Sequence, residues 1–182
     1  MFPRFDSGKA LLAVIDVQGA LAEAMAGKEA LFSNLEKLIK GAKILGMPVV
    51  WTEQVPQKLG PTIERLSPLM EGEPAIAKSC FSCAADDHFI KAISATGKGQ
   101  VLLCGIEAHI CIFQTALDLM ERKYEVFVAA DAISSREEAN RRIAVKRMRQ
   151  CGAVIVSAEM ALFEAMRDAK HPKFRDIQKI VK

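Results

Sequence analysis

At 182 residues, 51% of them hydrophobic, the chain is long enough for one domain, residues 1–182, with a full-sized core, and too apolar for disorder. A net charge of +3 is too small a bias to argue for nucleic acid or a membrane surface, and no apolar stretch approaches the roughly 20 residues that span a bilayer. Five cysteines behind a short polar N-terminus, with no secretory leader, point to free thiols in a reducing cytoplasm.

The first apolar run, LLAVI at 11–15, ends in Asp16. Leu31, Leu35, Leu38, Ile39 and Ala42 then repeat at helical spacing and stop at Gly46-Met47-Pro48, with Ser33 and Glu36 spaced as a capping box. PVVW at 48–51 leads into Thr52, Glu53 and Gln54 and a proline-rich stretch to about residue 75, which reads as a loop with a short helix. AIA at 75–77 ends in Lys78, followed by the C-x-x-C pair Cys80 and Cys83. VLLC at 101–104 runs into Gly105-Ile106-Glu107-Ala108-His109-Ile110-Cys111 and a helical pattern, IFQTALDLM. VFVAA at 126–130 meets Asp131; Ser135 and Glu138 are a second S-x-x-E before a helix ending near Cys151-Gly152. AVIVS at 153–157 is the sixth run, and His171-Pro172 opens a last helix carrying Phe174, Ile177, Ile180 and Val181.

The runs are continuous rather than alternating, as in strands buried on both faces, and amphipathic segments separate most of them. That pattern is a parallel sheet with helices on both faces. Ligands of such sheets bind at the carboxyl ends of the strands. A carboxylate (Asp16), an ammonium (Lys78) and a thiol (Cys111) lie at three of those ends. A thiol attacks as thiolate, and its ordinary pKa is about 8.5. A place in the first helical turn and the charge of Lys78 favour the thiolate, and Asp16 is a proton acceptor. Singly, each residue also has a structural reading: Asp16 as a cap, Lys78 as a surface ion-pair partner, Cys111 as a small buried hydrophobe. His109 is two positions from Cys111 on a helix and points elsewhere, to a rim. Glu107 and Asp131 read as polar lining or turn caps.

Phosphate chemistry lacks its sequence support. Gly97-Lys98 is followed by Gly99 and preceded by Ala92 where a phosphate loop needs glycine, and no G-x-G-x-x-G follows the first strand. The C-x-x-C pair has no second ligand pair for zinc, and His88, His109 and His171 are dispersed; redox work at Cys80 and Cys83 stays open.

The ordered set D-x-Q (Asp16, Gln18), K-x-x-F-S (Lys78, Phe81, Ser82), G-I-E-x-x-x-C (Gly105, Ile106, Glu107, Cys111) and T-A-x-D (Thr115, Ala116, Asp118) resembles the isochorismatase-like cysteine hydrolase superfamily. It is similar there to the isochorismatase domain-containing hydrolases related to YcaC. The resemblance implies a three-layer α/β/α fold with a six-stranded parallel sheet, order 3-2-1-4-5-6. It implies Cys111 as nucleophile, Asp16 as base and then acid, Lys78 as stabiliser, a cis peptide at Ile106–Glu107, and the backbone N–H groups of Glu107 and Cys111 as oxyanion hole. Gln54, Phe81, Ile106 and Glu107 are the expected substrate-lining residues. Nicotinamidases of the superfamily hold a metal after the second strand through Asp and His; WTEQVPQ has neither, so neither metal nor cofactor is expected. Isochorismatases that cleave a vinyl ether do not depend on a cysteine. The retained Cys111 therefore favours hydrolysis of a small-molecule amide or related C–N bond through a thioester. Vinyl-ether hydrolysis and a non-catalytic scaffold role are the alternatives. Relatives assemble as dimers to octamers, so a homo-oligomer is expected.

Overall fold

The computed structural model describes residues 3–182. Six strands form one parallel sheet: β1 (Ala10–Ile15), β2 (Val49–Gln54), β3 (Ile76–Lys78), β4 (Gln100–Ile106), β5 (Glu125–Ser134) and β6 (Val154–Val156), in the order β3-β2-β1-β4-β5-β6. The helices are α1 (Gly19–Glu23), α2 (Lys28–Ile44), α3 (Pro56–Leu59), α4 (Asp87–Ala95), α5 (Phe113–Glu121), α6 (Glu138–Gln150), α7 (Ala158–Met166) and α8 (Phe174–Val181).

Residue alternation along the strands divides the core into two layers. Leu12, Val14, Leu102, Cys104 and Ile106 face α2, α7 and α8, through Leu35, Leu38, Ile39, Leu162 and Ile177. Leu11, Ala13, Ile15, Val101 and Leu103 face α4, α5 and α6, through Phe89, Ile93, Ala116, Leu119 and Met148. Both faces are covered, which is why the strands read as unbroken apolar runs. The sheet order and the three layers are those expected from the resemblance.

The helix ends differ from the capping boxes in the sequence. The N-cap of α2 is Gly27, so Ser33 lies inside the helix. The N-cap of α6 is Glu137, and the Ser135 hydroxyl instead meets His109 Nδ1 at 2.9 Å. Asp86, which accepts from the N–H groups of His88 and Phe89, and Ser157, which accepts from Met160, are true caps, of α4 and α7.

Two local features shape the site. β4 pairs with β5 in two registers: Leu103 to Gly105 spans two residue steps while the partners Val128 to Ile133 span five. The looped-out part of β5 carries Asp131, whose Oδ1 accepts from Ala158 N–H at 2.7 Å, so Asp131 tethers α7 rather than joining the site. Gly105 pairs with Ile15 of β1 at φ 115°, and a Cβ there would sit 2.1 Å from the Ile15 carbonyl oxygen. Only glycine lets β4 run this close to β1 where the two strands end.

Candidate active site

β1 and β4 are neighbours in mid-sheet, and β2 and β3 follow on one side, so the chain brings Asp16, Lys78 and Cys111 to one edge. Asp16 follows β1 in a tight turn at φ 53°, closed by the Gln18 N–H donating to the Asp16 carbonyl at 2.9 Å. That positive φ is uncommon for a residue other than glycine, and Asp tolerates it better than most. Lys78 is the last residue of β3 and pairs in register with Gln54. Cys111 lies in a single π-helical turn, Ala108–Ile112, between β4 and α5. The Ile106–Glu107 peptide just before that turn is cis.

The three groups meet. Lys78 Nζ donates to Asp16 Oδ2 at 2.7 Å and lies 3.9 Å from Cys111 Sγ. It also donates to Gln54 Oε1 at 2.6 Å and to the carbonyls of Cys80 and Phe81 at 3.1 and 3.4 Å. Asp16 and Lys78 are buried, and Cys111 keeps only 7% exposure. Burial opposes the charge on Lys78, but the acidic groups around it, with the paired Asp16 as the charged one, outweigh burial, and the amine is held above its ordinary value as an ammonium.

Cys111 behaves differently from the expectation. Burial, and then the carboxylate of Asp16 beside it, push its thiol up, and Lys78 only partly offsets them. The expected depression by helix and lysine fails first because burial penalises the thiolate, and then because the Asp16 carboxylate beside it opposes the lysine's charge. The resting site therefore holds a neutral thiol, an ionised carboxylate and an ammonium. It has a proton to move and an acceptor beside it.

The expected lining residues separate. The Phe81 side chain is 55% exposed, next to the carbonyl that Lys78 touches. Gln54 is spent internally: its Oε1 holds Lys78 and its Nε2 donates to the Ser79 carbonyl at 2.7 Å, so it positions the lysine. Ile106 is fully buried in the layer facing α2 and α7, on the opposite side of the sheet from Cys111, and does not line the site. The buried Glu107 carboxylate accepts from Arg136 N and Nε at 3.0 and 3.3 Å and anchors the connection between β5 and α6. His109 points to Ser135, away from the thiol.

Three residues at the site escaped the sequence reading of roles. Gln18 Oε1 accepts from Gln54 N–H at 2.6 Å, and its Nε2 donates to the carbonyls of Gln54 and Gly60 at 3.2 and 2.7 Å, which pins the chain after β2. Thr52 Oγ1 donates to Asp16 Oδ1 at 2.7 Å. Thr115 Oγ1 accepts from Cys83 N–H at 2.8 Å. A polar residue inside an apolar run, as Thr52 is, or exactly one turn beyond the cysteine, as Thr115 is, was the available signal. Cys83 is fully buried and its thiol is pushed up to about 12, first by burial. Among the described residues, Ser82 Oγ is buried without a hydrogen-bond partner, and no group of three or more His, Cys, Asp or Glu side chains is placed to hold a metal ion.

A doubly covered parallel sheet of this order, with its polar groups gathered where β1 and β4 end, places the molecule in the class of isochorismatase-like α/β hydrolases. Residues 9–160 match the isochorismatase domain, and the chain belongs to that family. Mouse isochorismatase domain-containing protein 2A is 39% identical over 94% of this chain and 82% of its own length. Human isochorismatase domain-containing protein 2 is also 39% identical, over 96% and 84%. Among solved structures, the MAR1 ribonuclease of Caenorhabditis elegans superposes with a TM-score of 0.93 at 33% identity, covering 98% of this chain and 92% of that one. YcaC of Escherichia coli, described as an octameric hydrolase of unknown specificity, superposes at 0.90 and 26% identity, covering 98% and 96%. No helix among the described residues is long and apolar enough to cross a membrane.

Proposed function

We propose that the protein is a cysteine hydrolase of a small-molecule amide or related C–N bond. The observation that carries this reading is the buried ammonium of Lys78 within 2.7 Å of Asp16 Oδ2 and 3.9 Å of Cys111 Sγ. Cys111 Sγ attacks the carbonyl carbon as its proton passes to Asp16, which avoids a free thiolate beforehand. The tetrahedral oxyanion takes hydrogen bonds from the N–H groups of Glu107 and Cys111. Asp16 returns the proton to the nitrogen, the amine leaves, and a thioester remains. Water then attacks the thioester as Asp16 accepts its proton, the C–S bond breaks to release the carboxylic acid, and Asp16 returns the proton to Cys111 Sγ. Lys78 holds Asp16 in place and keeps its carboxylate compensated throughout. Phe81 and Ser82 are the side chains offered to the substrate, one exposed at the edge and one with a free buried hydroxyl.

Catalysis needs no metal or cofactor in this scheme. The working form is a homo-oligomer of two to eight copies in the cytoplasm, in keeping with the octamer described for the E. coli relative. The test is a panel of amides and ureides screened for ammonia release, with Cys111→Ser as control. Release by the wild type and its loss in the variant is the expected result. Turnover that survives Cys111→Ser sinks the thioester route; a vinyl-ether substrate followed by its carbonyl product and a short RNA followed by its fragments, assayed alongside, test the activities suggested by the family name and by the nematode relative.

A further inference from the structure

We infer that Thr52 is a positioning residue, held by Cys83, that donates a fixed hydrogen bond to Asp16 and so restrains the thiol proton of Cys111 in the resting site. The inference rests on the acid–base reading of Asp16 above and deepens it.

Hydrogen-bond bookkeeping sets the direction of the relay. An ionised carboxylate only accepts, so the single hydroxyl hydrogen of Thr52 is donated to Asp16 Oδ1, 2.7 Å away. Thr52 Oγ1 is then left as an acceptor, and Cys83 Sγ lies 3.7 Å from it. The Cys83 thiol is the donor there, and its own backbone is held by the N–H bond to Thr115 Oγ1 at 2.8 Å. Thr52, Cys83, Thr115 and Asp16 are all buried, so no water substitutes for a missing partner at little cost. Asp16 thus receives Thr52 on Oδ1 and Lys78 on Oδ2. Both bonds favour the carboxylate over the carboxylic acid. The proton exchange in question moves one hydrogen from Cys111 Sγ to Asp16, giving thiolate and carboxylic acid with no net change in charge. Every donor aimed at the carboxylate holds that exchange on the thiol side.

Removing the Thr52 donor therefore releases the exchange. A hydrogen bond to a charged group, converted at one decade per pKa unit, predicts about a tenfold increase in thiolate. The sign is unusual: a variant that loses a bond to the site gains thiol reactivity. The experiment needs no substrate. Full-length wild type, Thr52→Val and Thr52→Ser are alkylated with iodoacetamide at pH 7, and the Cys111 and Cys104 peptides are followed by mass spectrometry. Thr52→Val is expected to alkylate Cys111 about tenfold faster, with Cys104 still protected, and Thr52→Ser to return within about threefold of wild type. An unchanged or slower rate in Thr52→Val overturns the inference. So does an equal acceleration in Thr52→Ser, or a parallel rise at Cys104, which reports loosening of the fold. Asp16→Asn separates the two levels of the argument. If it leaves Cys111 alkylation at the wild-type rate, the carboxylate is not coupled to the thiol and the acid–base reading fails as well. If it changes that rate while Thr52→Val does not, the relay alone fails.

Discussion

Lys78 spends its charge on a carboxylate it cannot leave. Its ammonium and the Asp16 carboxylate are both buried, and four acceptors surround the nitrogen. Breaking such a pair from one side strands the other charge, at a cost of about 3–5 kcal/mol. Lys78→Met is therefore expected to lose hydrolysis and stability together, and its urea midpoint will fall well below that of the wild type. Cys111→Ser removes the nucleophile but leaves the ion pair intact. Its activity is expected to vanish with an unfolding free energy within about 1 kcal/mol of wild type. If Lys78→Met unfolds like the wild type, the Asp16 charge does not depend on Lys78 for compensation and the account of the pair is wrong.

At the scale of elements, the fourth strand and the turn after it carry the most constraint. Gly105→Ala would place a methyl 2.1 Å from a backbone oxygen of β1, which no side-chain rotation relieves. A loss of more than about 3 kcal/mol is expected, read as a lost cooperative transition in circular dichroism. α6 shows the opposite case, a strain that is easy to relieve. Arg142, Lys146 and Arg149 fall on one side of the helix around a cavity of about 320 Å3 floored by Ala130, Val145 and Ile155. None of the three has a carboxylate partner among the described residues, whereas Arg141 is tied to Glu138 and to the carbonyls of Ile133 and Ala130. Like charges at i, i+4 (Arg142 and Lys146) and at i, i+3 (Lys146 and Arg149) repel by a few tenths of a kcal/mol. Lys146→Glu turns two repulsions into two attractions and is expected to raise the melting temperature by a degree or more at low salt, an advantage that shrinks in 0.5 M NaCl on the order of the Debye screening.

These elements also show what a sequence reveals and what it withholds. Strand ends are legible, because period and polarity are local: Asp16, Lys78 and Cys111 each follow an apolar run, and parallel pairing does the rest. The side of the sheet on which Ile106 lands was legible too, by counting alternate residues from Val101, and the expectation that it lines the site ignored that parity. The duties of Gln54, Thr52 and Gln18 were not. Each is set by a partner between 24 and 42 residues away, and a side chain's spare hydrogen-bonding capacity is known only when all its neighbours are. The direction of the Cys111 shift belongs to the same group, because it depends on whether Lys78 serves the thiol or the carboxylate.

Across the whole molecule, the thiols tie stability to pH. Cys83, Cys104 and Cys111 are buried on both sides of the sheet, and burial pushes all three above the ordinary thiol range of about 8.5 to 9.0, Cys83 to about 12. A raised value means that the folded protein keeps protons the unfolded chain has released. Their contribution is therefore complete below pH 9.0 and is lost as pH climbs from there toward 12. Each such thiol lowers the unfolding free energy by up to about 1.4 kcal/mol per pH unit in that window. Cys104 offers the clean test, since it lies outside the Asp16–Lys78–Cys111 cluster, its Sγ 3.5 Å from the Ala13 carbonyl in the layer facing α2. Cys104→Ala costs a small cavity at every pH. Between pH 9 and 11, however, its unfolding free energy in urea is expected to fall less steeply than that of the wild type, by about one proton's worth of slope. Parallel slopes for the two proteins would mean that Cys104 ionises as readily in the fold as outside it, and that burial does not govern the thiols.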